Sequence, residues 1–275
     1  MRFRLQASIR VSVHPLLVCL LALSAFPLGA VKLQILEGRP IVDGVYVNGS
    51  GPYRFLIDTG SNVNLIETGL ARKIGMIPTF HVELASTAGN ATAKILTPGT
   101  DGNQIELGAV KAGGQKFLIS SLEAIHHLSP GIQGVLGQWF FSGFDYILDL
   151  RARRLEFGKQ ERAGTRSPFT MINARPVVAT SLGDLALDSG SASLVLFGIQ
   201  PDPDSDPRTE LRTLSGSQRV GMVSGRPLII EGRKVWGGSA VAMPLRNEPG
   251  VDGLMPLSLF KSIYVCNSER YVLFN

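Results

Sequence analysis

Three apolar residues, an aspartate, a small hydroxyl residue, a glycine and a serine follow one another twice in this chain. The two runs are Phe55-Leu56-Ile57-Asp58-Thr59-Gly60-Ser61 and Leu185-Ala186-Leu187-Asp188-Ser189-Gly190-Ser191. Each reads as a buried strand that ends on a carboxylate and turns at the glycine. A chain that does this twice, with the carboxylates 130 positions apart, is constrained to place two similar loops. If they face one another, they make an acid/base pair from a single chain.

Other signals repeat in the same order. The apolar run 194–197 matches the one that Leu65 and Ile66 begin, and Gly237-Gly238 follows Asp188 much as Gly113-Gly114 follows Asp58. Gly253-Leu254-Met255-Pro256 parallels Gly134-Val135-Leu136-Gly137, with Phe260 and Phe141 at the same offset beyond each first glycine. The closing segments 263–267 and 270–274 echo the hairpin 144–157. These correspondences predict two homologous halves rich in short strands. The expected organisation is a β lobe over 31–160 with the first aspartate, a linker over 161–175, and a β lobe over 176–275 with the second. Gly183-Asp184 is the expected turn within the run 176–187, and 201–207, rich in proline and aspartate, reads as an exposed loop. Asp202, Asp204 and Asp206 lack the glycine and closing glutamate that a calcium loop needs.

Residues 1–30 read as an export signal peptide. Arg2, Arg4 and Arg10 precede or enter an apolar run, and Gly29 and Ala30 offer a site for cleavage. Its strongest apolar core, 16–26, is short for a membrane span. No later window reads as one, so no stable span is expected once the leader is removed. The expected location is outside the cytoplasm, periplasmic or secreted, in a bacterium. Three of the five net positive charges belong to the leader, and the remainder is too small and scattered to suggest a nucleic-acid partner. Beyond the leader only Cys266 remains, so a monomer, the expected state, has no internal disulfide and must rely on its core.

With both aspartate runs and their internal repeats in hand, the sequence resembles the pepsin and retropepsin group of aspartic proteases. It is closest in character to compact, disulfide-free, exported bacterial members built from two retropepsin-like halves, and the likeness spans about 38–158 and 176–274. The resemblance implies an all-β, bilobal pepsin-like fold and an aspartic endopeptidase that hydrolyses peptide bonds through a water activated by Asp58 and Asp188. It implies supporting roles for the neighbours. Thr59 and Ser189 would interlock with the opposite loop's backbone, Gly60 and Gly190 would let each loop turn, and Ser61 and Ser191 would lie within reach of the carboxylates. Segments 135–137 and 254–256 would brace the two loops. Thr87, Ala88 and Gly89 would form the tip of a flap over an extended peptide substrate. Two departures stand out: Pro256 replaces the glycine that Gly137 supplies, and the flap tip has no tyrosine.

The chemistry also follows without the family. Water attacks an amide usefully only if a base accepts its proton while an acid supplies one, and two close carboxylates that cannot both ionise provide one of each. Serine or cysteine catalysis fits poorly, because the histidines are His14, His81, His126 and His127 and the second half has none. His126-His127 lacks a metal-ligand spacing, so neither metal nor cofactor is expected. The alternative function is a periplasmic peptide-binding or adaptor protein that keeps the fold without the catalysis.

Overall fold

The computed structural model describes residues 29–84, 95–160, 164–204, 209–213, 216–245 and 248–275. The first half supplies β1 (Val31–Leu36), β2 (Arg39–Val47), β3 (Ser50–Ile57), β4 (Leu65–Glu67), β5 (Phe80–Leu84), β6 (Ile95–Leu107), β7 (Val110–Ser120), β8 (Gly134–Leu136), β9 (Tyr146–Asp149) and β10 (Arg154–Phe157). The second supplies β11 (Ser167–Ile172), β12 (Arg175–Thr180), β13 (Gly183–Asp188), β14 (Val195–Phe197), β15 (Thr209–Thr213), β16 (Gly216–Val223), β17 (Leu228–Ile230), β18 (Arg233–Trp236), β19 (Ala240–Met243), β20 (Gly253–Pro256), β21 (Ser262–Cys266) and β22 (Tyr271–Phe274). Among the described residues helix is confined to short pieces, which include α1 (Thr68–Lys73) and α2 (Gln138–Phe141). The fold is all-β and pseudo-bilobal.

The halves repeat one topology. In the first, β3 runs parallel to β8, β4 runs antiparallel to β8, and β4 runs parallel to β7. In the second, β13 runs parallel to β20, β14 antiparallel to β20, and β14 parallel to β19. This arrangement explains why three consecutive apolar residues precede each aspartate. Phe55 and Ile57 face the main core while Leu56 faces a second apolar layer; Leu185, Leu187 and Ala186 divide in the same way. A strand covered on both faces has no solvent side, so its sequence does not alternate.

The halves meet in a continuous run of strands, β1-β10-β9-β21-β22-β11, whose centre is the antiparallel pair of β9 and β21. Here Tyr264 lies opposite Ile147 and Val265 opposite Tyr146, all fully buried. Each outer strand begins a hairpin that leads to an aspartate: β1 to β2 and β3, β11 to β12 and β13.

The local readings differ from the structure in two places. Within 161–175, expected as linker, residues 167–172 form β11, which pairs with β12 and β22. Its alternation of buried Ser167 and Phe169 with exposed Pro168 and Thr170 is a strand signal, obscured by the charged residues before it. The turn expected at Gly183-Asp184 falls two residues earlier, and Gly183 opens β13 with φ +102°. The expected flap tip and the signal peptide up to residue 28 lie outside the described residues. The strands that lead to the tip, β5 and β6, pair antiparallel from Phe80 opposite Gly99 to Leu84 opposite Ile95. Among the described residues no helix is long and apolar enough to cross a membrane, and no three His, Cys, Asp or Glu converge as a metal site.

Candidate active site

Asp58 follows the last residue of β3, and its N–H donates to the carbonyl of Leu136 on β8 at 3.0 Å. Asp188 is the last residue of β13, in register with Pro256 on β20. Each carboxylate is then gripped by the turn that follows it. Oδ1 of Asp58 accepts from the N–H groups of Gly60 and Ser61, both at 3.0 Å. Oδ1 of Asp188 accepts from those of Gly190 at 2.8 Å and Ser191 at 2.9 Å. The Ser61 and Ser191 contributions are therefore main-chain ones. Their hydroxyls turn back to their own loops and donate to the carbonyls of Val63 and Ser193.

The loops are crossed. Thr59 Oγ1 donates to the carbonyl of Leu187 at 2.9 Å and accepts from the Ser189 N–H at 3.0 Å. Ser189 Oγ donates to the carbonyl of Ile57 at 2.7 Å and accepts from the Thr59 N–H at 3.0 Å. Both side chains are buried, so each hydroxyl satisfies a donor and an acceptor of the other half that water does not reach. The glycines cross as well. A methyl group at Gly60 would collide with the carboxyl of Asp188, and one at Gly190 would come within 2.5 Å of Asp58 Cγ. The two carboxyl groups are consequently neighbours, each packed against the glycine of the other loop and close enough to affect the other's ionisation.

That closeness and the loss of water act in one direction. Burial, and then the charge of Asp188, push Asp58 up to about 8 against the pull of the Ser61 and Gly60 N–H groups. Asp188 is also raised by burial, but the Arg175 guanidinium is the largest influence holding it down. Burial and mutual repulsion thus oppose the ionisation of both carboxyl groups at once.

Arg175 and its counterpart Arg39 escaped the sequence reading. They occupy equivalent positions, opposite Ile172 and Leu36 in the two outer hairpins. Each reaches across to the other half: Arg39 Nε donates to the carbonyl of Gly190 at 2.7 Å, and Arg175 Nη1 to that of Gly60 at 3.2 Å. The signal was present as a second repeat, Arg39-Pro40-Ile41-Val42 and Arg175-Pro176-Val177-Val178. Asn64 and Gln138 were also missed. Buried Asn64 accepts the Gly137 N–H on Oδ1 at 3.0 Å, and buried Gln138 donates to the Thr59 carbonyl at 2.7 Å.

The departure at Pro256 is explained by the same comparison. Leu194 stands where Asn64 stands in the first half, since the carbonyls of both accept the N–H of the neighbouring parallel strand, from Val241 and Leu118 respectively. Pro256 has no N–H to satisfy, so no side-chain acceptor is needed there. A cavity of about 260 Å³, lined by residues including Thr165, Ile230, Lys234 and Phe260, lies away from both carboxyl groups.

Residues 44–140, which include Asp58 and its bracing strand β8, match the family model described as aspartyl protease. No curated protein matches the chain. Among solved structures, an aspartic proteinase from Irpex lacteus aligns with 90% of this chain and 97% of its own at 12% identity and a TM-score of 0.50. A retropepsin-like aspartic protease from Rickettsia conorii aligns with 46% of this chain and 87% of its own at 15% identity and a TM-score of 0.34. The fold is thus that of the pepsin-like aspartic proteases, to which the chain bears a distant resemblance in structure and, over its first half, in sequence.

Proposed function

We propose that the protein is an aspartic endopeptidase, with Asp58 and Asp188 as its catalytic residues. The observation that supports this reading is the crossing of the two equivalent loops, through the Thr59 and Ser189 hydroxyls, which sets each aspartate's carboxyl group against the glycine of the other loop. With one proton between them, the ionised carboxylate takes a proton from water as its oxygen attacks the peptide carbonyl, and the protonated partner donates to the carbonyl oxygen. As the resulting gem-diol collapses, the carboxyl group that took the proton of water gives it to the departing nitrogen and the C–N bond breaks. The other carboxylate takes the proton of a gem-diol hydroxyl as the carboxylic acid product forms, which restores the one-proton state. The reaction is hydrolysis and requires no other reactant. The substrate on this reading is a peptide in extended conformation, bound through strand-like main-chain contacts. With residues 1–30 as a leader, the enzyme acts outside the cytoplasm.

The test is cleavage of a mixed peptide library by the purified protein across pH, beside Asp58→Asn and Asp188→Asn. Each substitution is expected to abolish turnover while the fold persists, and activity is expected to decline once alkali removes the shared proton. Cleavage that survives in both variants defeats the assignment. A folded wild type that binds peptides and cuts none at any pH makes the chain a peptide-binding module instead.

A further inference from the structure

The halves are alike in topology and unlike in the charge set beneath their carboxyl groups. Arg39 and Arg175 make the same cross-lobe contact, yet their surroundings differ. The Arg39 side chain is 15% exposed and its partner Glu37 65% exposed, so water screens that cation. The Arg175 and Glu248 side chains are 3% and 4% exposed and form a buried ion pair. Asn173 holds the other Glu248 oxygen at 2.5 Å, which fixes the glutamate and, through it, the arginine. The fixed guanidinium donates to Gly60, the residue packed directly against the Asp188 carboxyl.

We propose that Arg175, held by Glu248, is a positioning residue that makes the two carboxyl groups unequal, keeping Asp188 as the carboxylate that accepts the proton of water and Asp58 as the acid that donates to the peptide carbonyl. The assignment rests on the peptidase reading of the site. A cation this deeply buried acts through a medium of low effective permittivity, where its influence on a nearby carboxyl far exceeds that of a solvated one. Among the described residues, the charged groups around the pair are Arg175 with Glu248 behind Gly60, which packs against Asp188, and Arg39 with Glu37 behind Gly190, which packs against Asp58; Arg175 interacts with both carboxyl groups and most strongly with Asp188. The directions agree with the geometry: Arg175 holds Asp188 down, whereas the leading influences on Asp58 are burial and the charge of Asp188. Asp58 is then the hydrogen-bond donor within the pair.

The experiment is NMR titration of the full chain carrying aspartate labelled with carbon-13 at Cγ, with Asp58 and Asp188 assigned from their Asn variants. In the wild type, Asp188 is expected to ionise first, separated clearly from Asp58. Removing both members of the buried pair, as Arg175→Met with Glu248→Gln, avoids stranding a lone charge and is expected to close that separation by about one pH unit, the lower end of what an adjacent arginine exerts on a carboxylate. Glu248→Gln alone leaves the cation without its counter-charge and is expected to widen the separation. Arg175→Lys is expected to preserve its order, and Arg39→Met to change it less than the double variant does. An unchanged separation in the folded double variant overturns the proposal, as does a narrowing in Glu248→Gln. If the double variant does not fold, the direction of change in Glu248→Gln decides. The acid limb of kcat/KM follows the same shifts if the protein cuts peptides. A titration that behaves as expected in a protein that cuts nothing refutes the peptidase reading alone, and cleavage with an unmoved titration refutes the role of Arg175 alone.

Discussion

A single methyl group is a sensitive probe of how closely the two carboxyl groups are set. Gly60 and Gly190 each lie against the carboxyl of the other half, and each sits in a crossed pair of loops that cannot retreat without breaking the Thr59 and Ser189 hydrogen bonds. Gly60→Ala and Gly190→Ala must therefore push the opposite carboxyl aside. Displacing a reacting group by about 1 Å can cost on the order of 100-fold in rate, so turnover in each variant is expected to fall by about that factor or more, with substrate affinity less affected. Steady-state kinetics on a cleavable peptide measure both. At this scale the sequence was informative where a residue's role follows from its neighbours: an aspartate between an apolar run and a glycine announces a carboxylate on a tight turn. It was silent where the role is created by the fold. Nothing local to Arg175 marks it as reaching the aspartate loop of the other half, and only the comparison of Arg39-Pro40 with Arg175-Pro176 hints at it.

Elements show the same division. The bracing strands β8 and β20 were legible because a strand buried on both faces is written as consecutive apolar residues, and the halves could be aligned on them. The way each strand ends was not legible, because it depends on a partner far along the chain. In the first half the Gly137 N–H finds its acceptor 73 residues away, on Asn64; in the second, proline removes the donor and leucine the acceptor. Asn64→Leu copies the second half's side chain without its proline and leaves a buried N–H unpaired. Such a group costs roughly 1–3 kcal/mol, and the variant is expected to lose stability by that amount in denaturant unfolding. Gly137→Pro is no remedy, since any Cβ there collides with the backbone at Val63. A second substitution that repairs the loss would show that the two ends are not independent solutions to one requirement.

At the scale of the whole molecule, the strands shared between the halves and the crossed loops press together two acids that water would otherwise separate, and that has a thermodynamic signature. Asp58 is raised in the folded chain to about 8, chiefly by burial and then by Asp188, whereas an unfolded aspartate titrates near 4. Between those values the folded form binds the extra proton and the unfolded form does not, so stability falls as pH rises through the window and levels off above it. The stabilising contribution is complete below about 4 and lost above about 8. Asp58→Asn removes both the titrating group and its repulsion of Asp188, and its stability is expected to depend less on pH. The difference in unfolding midpoint, variant minus wild type, should therefore grow between pH 4 and pH 9. For a chain of this size each kcal/mol corresponds to roughly 2–4 °C, so even part of the expected change is measurable by calorimetry. Surface groups titrate alike in both proteins and cancel in the difference. A difference that stays constant across the range would mean that the folded chain holds no extra proton at Asp58, and the two carboxyl groups could not then share one near neutrality.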